Sequence, residues 1–222
     1  MKTYKLNDFT KLIDVTNLNN CTTYPDLEKV CDEAKQNEFN SIIVHSGQVK
    51  FCADYLENSE VKVGAAVSFP HGQVSIPTKA FETEDVISNG AKEVEYVVNL
   101  TEFKAGHDDY VKTEMNVVWS LCQTWDIVGK VIINSNHLSK EEIERIAKIA
   151  LEVKITAIKT DLGDKQLEDV RLIKNLVGDE IKIEATDPMA SLEDTILLLE
   201  AGADRLSTAN GVKILDEAKE KL

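Results

Sequence analysis

The chain has 222 residues, 43% of them hydrophobic and 29% charged, with a formal net charge of −14. These proportions allow one sizeable core and exclude disordered and fibrous classes, and the acidity argues against nucleic acid or anionic membrane as a partner, because phosphates would be repelled. No apolar run approaches the roughly 18 residues of a membrane span and "MKTYKLNDFTKLIDV" lacks the apolar centre of a secretory leader, so a soluble, cytoplasmic protein is expected.

Short apolar segments, most of them β-branched, alternate with longer amphipathic ones. "KLIDV" (11–15) predicts a first strand and "PDLEKVCDEAKQ" (25–36) the helix after it. "SIIVH" (41–45), "VKVGAAVSF" (61–69) and "EVEYVVNL" (93–100) predict strands two to four. "DDYVKTEMNVVWSLCQTW" (108–125) has helical spacing, and its Trp119 and Trp125 are expected to pack against the sheet or a subunit partner. "KVIINS" (130–135) predicts strand five and "SKEEIERIAKIALE" (139–152) a helix opened by a Ser139/Glu142 capping box. "TAIKT" (156–160), "IKIEAT" (181–186) and "DRLSTA" (204–209) complete eight strands, with a helix over "SLEDTILLLEAG" (191–202) capped by Ser191. Gly90, Gly178 and Gly202 stand where helices should end.

"EDVISNGAKEVEYVV" (84–98) and "EDTILLLEAGADRLST" (193–208) echo one another, each running from an acidic pair through a helix to Gly-Ala and a strand. Repeated units of that kind, with no linker-like stretch, predict a single-domain α/β protein over 1–222, a closed (β/α)8 TIM barrel. A doubly wound open sheet is the alternative, weakened because no strand leads into a G-x-G-x-x-G loop. Cys21, Cys31, Cys52 and Cys122 are widely spaced, so neither a disulfide framework nor a metal site is expected.

Alternation turns every second strand residue into the barrel, and chemistry sits at the carboxyl ends of the strands. The inward parity set comprises Asp14, Glu95, Lys130, Asn134, Lys159, Lys182 and Glu184. Shifting strands six and seven by one residue would turn Ile158 and Ile183 the wrong way. Three carboxylates and three lysines together are formally neutral, which makes their burial tolerable. Crowded, desolvated lysines depress one another's pKa, and an amine brought near neutrality attacks carbonyls to form a Schiff base. Neighbouring carboxylates would then move the protons. His71 and His45 are expected near the catalytic end in structural roles, and His107 and His137 in solvated loops.

"LIDVTNLNN" (12–20), "FPHG" (69–72), "NGAKEVEYVVN" (89–99), "KVIIN" (130–134), "AIKTDLG" (157–163) and "EAGADRLSTANG" (200–211) resemble, in order and spacing, the deoxyribose-phosphate aldolases, class I aldolases on a TIM barrel. The resemblance spans almost the whole chain. It implies that Lys159, in I-K-T-x-x-G, is the Schiff-base nucleophile, with Glu95 in place of the family's proton-relaying aspartate and Asp14 and Lys130 lining the site. Glu184 stands where the family carries a second lysine, and a carboxylate there favours the ammonium form of Lys159. Lys182, two residues earlier at the same parity, is expected to replace that lysine, and Asn134 stands where strand five usually ends in glutamate.

The resemblance also implies a phosphate cradle. Asp187-Pro188 replaces the family's glycine pair, while Ser207, Thr208 and Asn210 retain the turn after strand eight and Thr160 follows the nucleophile. The implied activity is cleavage of 2-deoxy-D-ribose 5-phosphate to acetaldehyde and glyceraldehyde 3-phosphate. The implied partner is a small aldehyde or sugar phosphate, with no cofactor or metal and with a homodimer common among such proteins. A Schiff-base lyase for an unphosphorylated carbonyl compound, and an aldolase-like barrel that only binds, remain open alternatives.

Overall fold

All eight apolar segments form strands in the computed structural model, which describes residues 5–160, 165–186 and 191–221. The strands are β1 (Ile13–Asn17), β2 (Ser41–His45), β3 (Lys62–Val67), β4 (Glu93–Val97), β5 (Val128–Ile132), β6 (Ala157–Lys159), β7 (Lys182–Thr186) and β8 (Arg205–Thr208). They pair in parallel in sequence order, and β8 closes on β1, so the sheet is a closed eight-stranded barrel and not an open one. The helices are α1 (Leu6–Thr10), α2 (Tyr24–Gln36), α3 (Val49–Tyr55), α4 (Ile76–Ser88), α5 (Leu100–Lys104), α6 (Asp108–Thr124), α7 (Lys140–Val153), α8 (Gln166–Val177), α9 (Leu192–Ala201) and α10 (Gly211–Lys221). Among the described residues no helix is long and apolar enough to cross a membrane.

The helix ends follow local chemistry. Ser139 accepts the Glu142 N–H while the Glu142 carboxylate accepts the Ser139 N–H at 2.8 Å, the reciprocal box expected from the spacing. Thr23 and Asp26 make the same arrangement before α2, where Pro25 needs no N–H partner. Gly202 ends α9 at φ 117°, a left-handed position that costs glycine little.

Two interiors result from strand alternation. The outward residues Ile42, Val44, Val94, Val131, Ile158, Ile183 and Leu206 pack under the helices and form one apolar shell. The inward residues of β1 and β4 to β8 are largely charged or polar. β2 and β3 fill their side of the interior with Ile43, Gly64 and Ala66. A methyl at Gly64 would lie 2.4 Å from Ile43 Cδ1, so that side is closed by close approach. Trp119 is half-buried against the shell as expected, whereas Trp125 is 61% exposed.

Candidate active site

The inward charges stack along the barrel axis with alternating sign. At the carboxyl end of β6 the Lys159 amine contacts Glu95, lies 3.0 Å from Glu184 and donates to Ser207 Oγ at 2.8 Å. Beneath that carboxylate pair sits Lys130, in contact with Glu184 and 2.9 Å from Glu95. Lys130 also faces a lower pair, Glu93 at 2.8 Å and Asp14 at 3.4 Å. Arg205 closes the stack at the amino end, holding Glu93 by two bonds of 3.0 and 2.9 Å and contacting Asp14. Asn40 and Ser41 donate to Asp14 at 2.8 and 2.7 Å. Lys159, Lys130 and all four carboxylates are buried.

Within each carboxylate pair the two members are pushed in opposite directions. Burial, reinforced by Glu184, raises the Glu95 pKa. Burial also opposes the charge of Glu184, but Lys130 and Lys159 overcome it and hold this carboxyl well below the usual range. In the lower pair burial raises Asp14, while at Glu93 the effect of burial is outweighed by Lys130 and Arg205, which lower it. The four carboxylates face Lys159, Lys130 and Arg205 inside the barrel, and Lys62 lies 3.8 Å from Glu93 at the amino rim. Asp14 and Glu95 are the groups best placed to take up a proton.

The lysines do not behave as their crowding predicts. Burial works against the charge of Lys159, but Glu184 and Glu95 outweigh both burial and the repulsion from Lys130, and the ammonium is held above the ordinary lysine value. Lys130 is held higher still, burial being overcome by its four carboxylates. The two carboxylates therefore favour the ammonium form of Lys159 over the free amine.

Several expectations need correction. Lys182 is exposed and paired with Asp204 at 3.0 Å. It is the first residue of β7, so its parity is inward but its height is the amino rim, and it cannot serve as a second lysine at the mouth. Lys130 lies within the barrel's charge stack, 2% exposed and surrounded by carboxylates, so it is not a substrate contact. Asp14 lies one step below Lys130 and reaches Lys159 only through it. Ser207 bonds the Lys159 amine and is not turned toward a phosphate. Thr208 is buried and its Oγ1 accepts the Asn210 N–H at 3.0 Å. Thr160 is buried as well, its N–H bonded to Glu184 O and its carbonyl accepting the Thr186 hydroxyl. Both threonines lock strand ends. Asn210 is exposed just before α10, and Asn134 stands two residues past β5 in the left-handed region at φ 48°. Asp187 and Pro188 lie outside the described residues.

Glu93 and Arg205 were missed by sequence reasoning, although period two could have found them. Glu93 stands two residues before Glu95, and Arg205 two before Ser207. Among the described residues no group of His, Cys, Asp or Glu side chains is arranged to hold a metal ion.

Comparison with known proteins bears on the fold and the family. The model of the DeoC/LacD family aldolases matches residues 7–218. The deoxyribose-phosphate aldolase of Lactobacillus acidophilus is 42% identical over 220 residues, covering 97% of this chain and 93% of that one. The deoxyribose-phosphate aldolase of Bacteroides thetaiotaomicron is 35% identical, with 94% and 90% covered. Among solved structures, the aldolase QR15 superposes with a TM-score of 0.90 at 30% identity, covering 96% of this chain and 97% of that one. The tetrameric deoxyribose phosphate aldolase of Aeropyrum pernix shares the fold, with a TM-score of 0.91 at 22% identity and 98% and 94% covered.

Proposed function

The chain belongs to the DeoC/LacD family of aldolases and is a carbon–carbon lyase, and from that premise we propose that it cleaves 2-deoxy-D-ribose 5-phosphate through a Schiff base on Lys159. The observation that carries this reading is the Lys159 amine at the carboxyl end of β6, in contact with Glu95 and 3.0 Å from Glu184, two carboxylates of opposed proton affinity.

The ion pair supplies its own base. Passing a proton from the Lys159 ammonium to Glu95 turns a buried charge pair into a neutral pair, a step that low dielectric favours and that moves no net charge. The free amine attacks C1 of the open-chain sugar. Glu95 returns its proton to the carbinolamine oxygen, then takes a second proton from the nitrogen and delivers it to the hydroxyl, so that water leaves and the iminium forms. The C3 hydroxyl then gives its proton to the ionised Glu95 as the C2–C3 bond breaks. The electron pair enters the iminium to give the enamine of acetaldehyde, and glyceraldehyde 3-phosphate departs. Protonation of the enamine carbon and hydrolysis release acetaldehyde and restore Lys159. Glu184, held ionised by both lysines, stabilises the iminium charge throughout.

Borohydride reduction in the presence of acetaldehyde tests this directly. A two-carbon reduced adduct is expected on the peptide carrying Lys159 and is absent from Lys159→Leu. An adduct on another lysine, or none, refutes it. A second reading changes only the substrate, to a sugar without phosphate. It is favoured by Ser207 and Thr208, whose hydroxyls are engaged inside the protein. A kcat/KM for 2-deoxyribose equal to or above that for its 5-phosphate would select it.

A further inference from the structure

At the carboxyl end of β2, Ser41, Ile43 and His45 share the inward parity, and Ser41 confirms that direction by its bond to Asp14. In a ring of eight strands β2 stands opposite β6, so His45 faces the mouth from the side remote from Lys159. Its Nε2 is buried and has no hydrogen-bond partner among the described residues. The imidazole meets the Gln48 backbone N–H in a capping-box arrangement, with the His45 N–H donating to the Gln48 side chain at 3.2 Å. With Nδ1 turned to that N–H, Nε2 is the ring nitrogen free to bond a ligand. His45 thus offers a ring nitrogen with no partner among the described residues.

A second such group stands beside it. His45 pairs in register with Ala66, and Ser68 follows two residues later, with its Oγ also buried and without a partner among the described residues. Ser68 is held at φ 55°, a left-handed conformation that is costly for serine. The segment is clamped from outside the barrel by Glu82 of α4, which accepts the Ser68 N–H at 2.9 Å and the Ser46 hydroxyl. The Phe69 ring, 5.9 Å from the imidazole, completes the support. Two rigidly supported polar groups left unpaired at the open end of a barrel are unfavourable for folding and are suited to an incoming oxygen atom.

We propose that His45 and Ser68 form a second, uncharged pole of the active site, which hydrogen-bonds a hydroxyl oxygen of the acceptor aldehyde across the mouth from Lys159 and sets a preference for hydroxylated aldehydes. This rests on the Schiff-base reading of Lys159, so wild-type trapping with acetaldehyde comes first; failure there refutes that reading and this pole with it.

With trapping established, acetaldehyde is added to D-glyceraldehyde and to propanal, which share a three-carbon chain and differ in the hydroxyls. Wild-type enzyme prefers glyceraldehyde. His45→Phe lowers the ratio of the two kcat/KM values about tenfold and Ser68→Ala lowers it severalfold, as loss of one hydrogen bond predicts. His45→Gln, which keeps a hydrogen-bonding side-chain nitrogen, recovers part of the ratio. Ser68→Ala leaves the backbone requirement at this position unchanged and serves if the histidine variant does not fold. A ratio that shifts less than twofold in each variant, equal losses for both acceptors, or a wild-type enzyme indifferent to the hydroxyls overturns the proposal.

Discussion

Replacing Lys130 by methionine would test the stacked-charge account most severely. The side chain keeps its length and apolar stem, and the change removes one buried cation lying 2.8 Å from Glu93, 2.9 Å from Glu95 and 3.4 Å from Asp14, and in contact with Glu184. Four carboxylates would then face Lys159 and Arg205, with Lys62 3.8 Å from Glu93 at the amino rim. Removing one partner from a buried, hydrogen-bonded ion pair costs about 3–5 kcal/mol, and at neutral pH the variant should be destabilised by that order.

The pH dependence carries the sharper information. In the wild type Glu93 and Glu184 have lowered pKa values, so their contribution is present above the unfolded carboxylate value of about 4.3 and is lost as pH falls through the folded values. In the variant burial, the largest influence on both, is opposed only by the remaining cations, Arg205 at Glu93 and Lys159 with Arg205 at Glu184, and the two pKa values should rise. Their contribution is then present at low pH and lost as pH rises through the raised values. The gap between the two proteins should be widest near pH 7–8 and should shrink toward pH 5. Urea unfolding at four pH values measures it. A gap below about 1 kcal/mol at pH 7.5, or one that does not change with pH, would refute the stacked-charge account.

Two further outcomes follow from the same geometry. Glu95→Gln removes the acceptor for the Lys159 proton, and kcat should fall by about 10²–10⁴. The wild-type acid limb should lie above the ordinary glutamate range, because burial raises Glu95 and its proton-free form is required. In the variant that limb should vanish and the rate should climb about tenfold per pH unit below the raised pKa of Lys159, since the amine must now lose its proton to solvent. A wild-type limb near pH 4 in a pH–rate profile would contradict this. Lys182→Met should leave kcat/KM within about twofold and stability within about 1 kcal/mol, because the side chain is exposed and paired with Asp204 at the amino rim. A large loss of activity would restore it to the site.

Strand and helix periodicity in the sequence determined the barrel, because burial on the two faces of each strand requires two different side-chain classes. It also determined which face Asp14, Glu95, Lys130, Lys159 and Glu184 occupy, since a one-residue slip would expose Ile158 and Ile183 to the charged interior. Height along the axis was decided only in three dimensions. Lys182 and Glu184 share a parity and sit two residues apart, yet the first opens β7 at solvent while the second touches both interior lysines. Pairing across the closed barrel brought Glu93 and Arg205 together from 112 residues apart, a proximity that depends on strand stagger and not on spacing in the chain. The protonation state of Lys159 followed the same rule: two carboxylates within contact outweigh a neighbouring lysine and the loss of water, and that balance depends on distances that residue types alone do not contain.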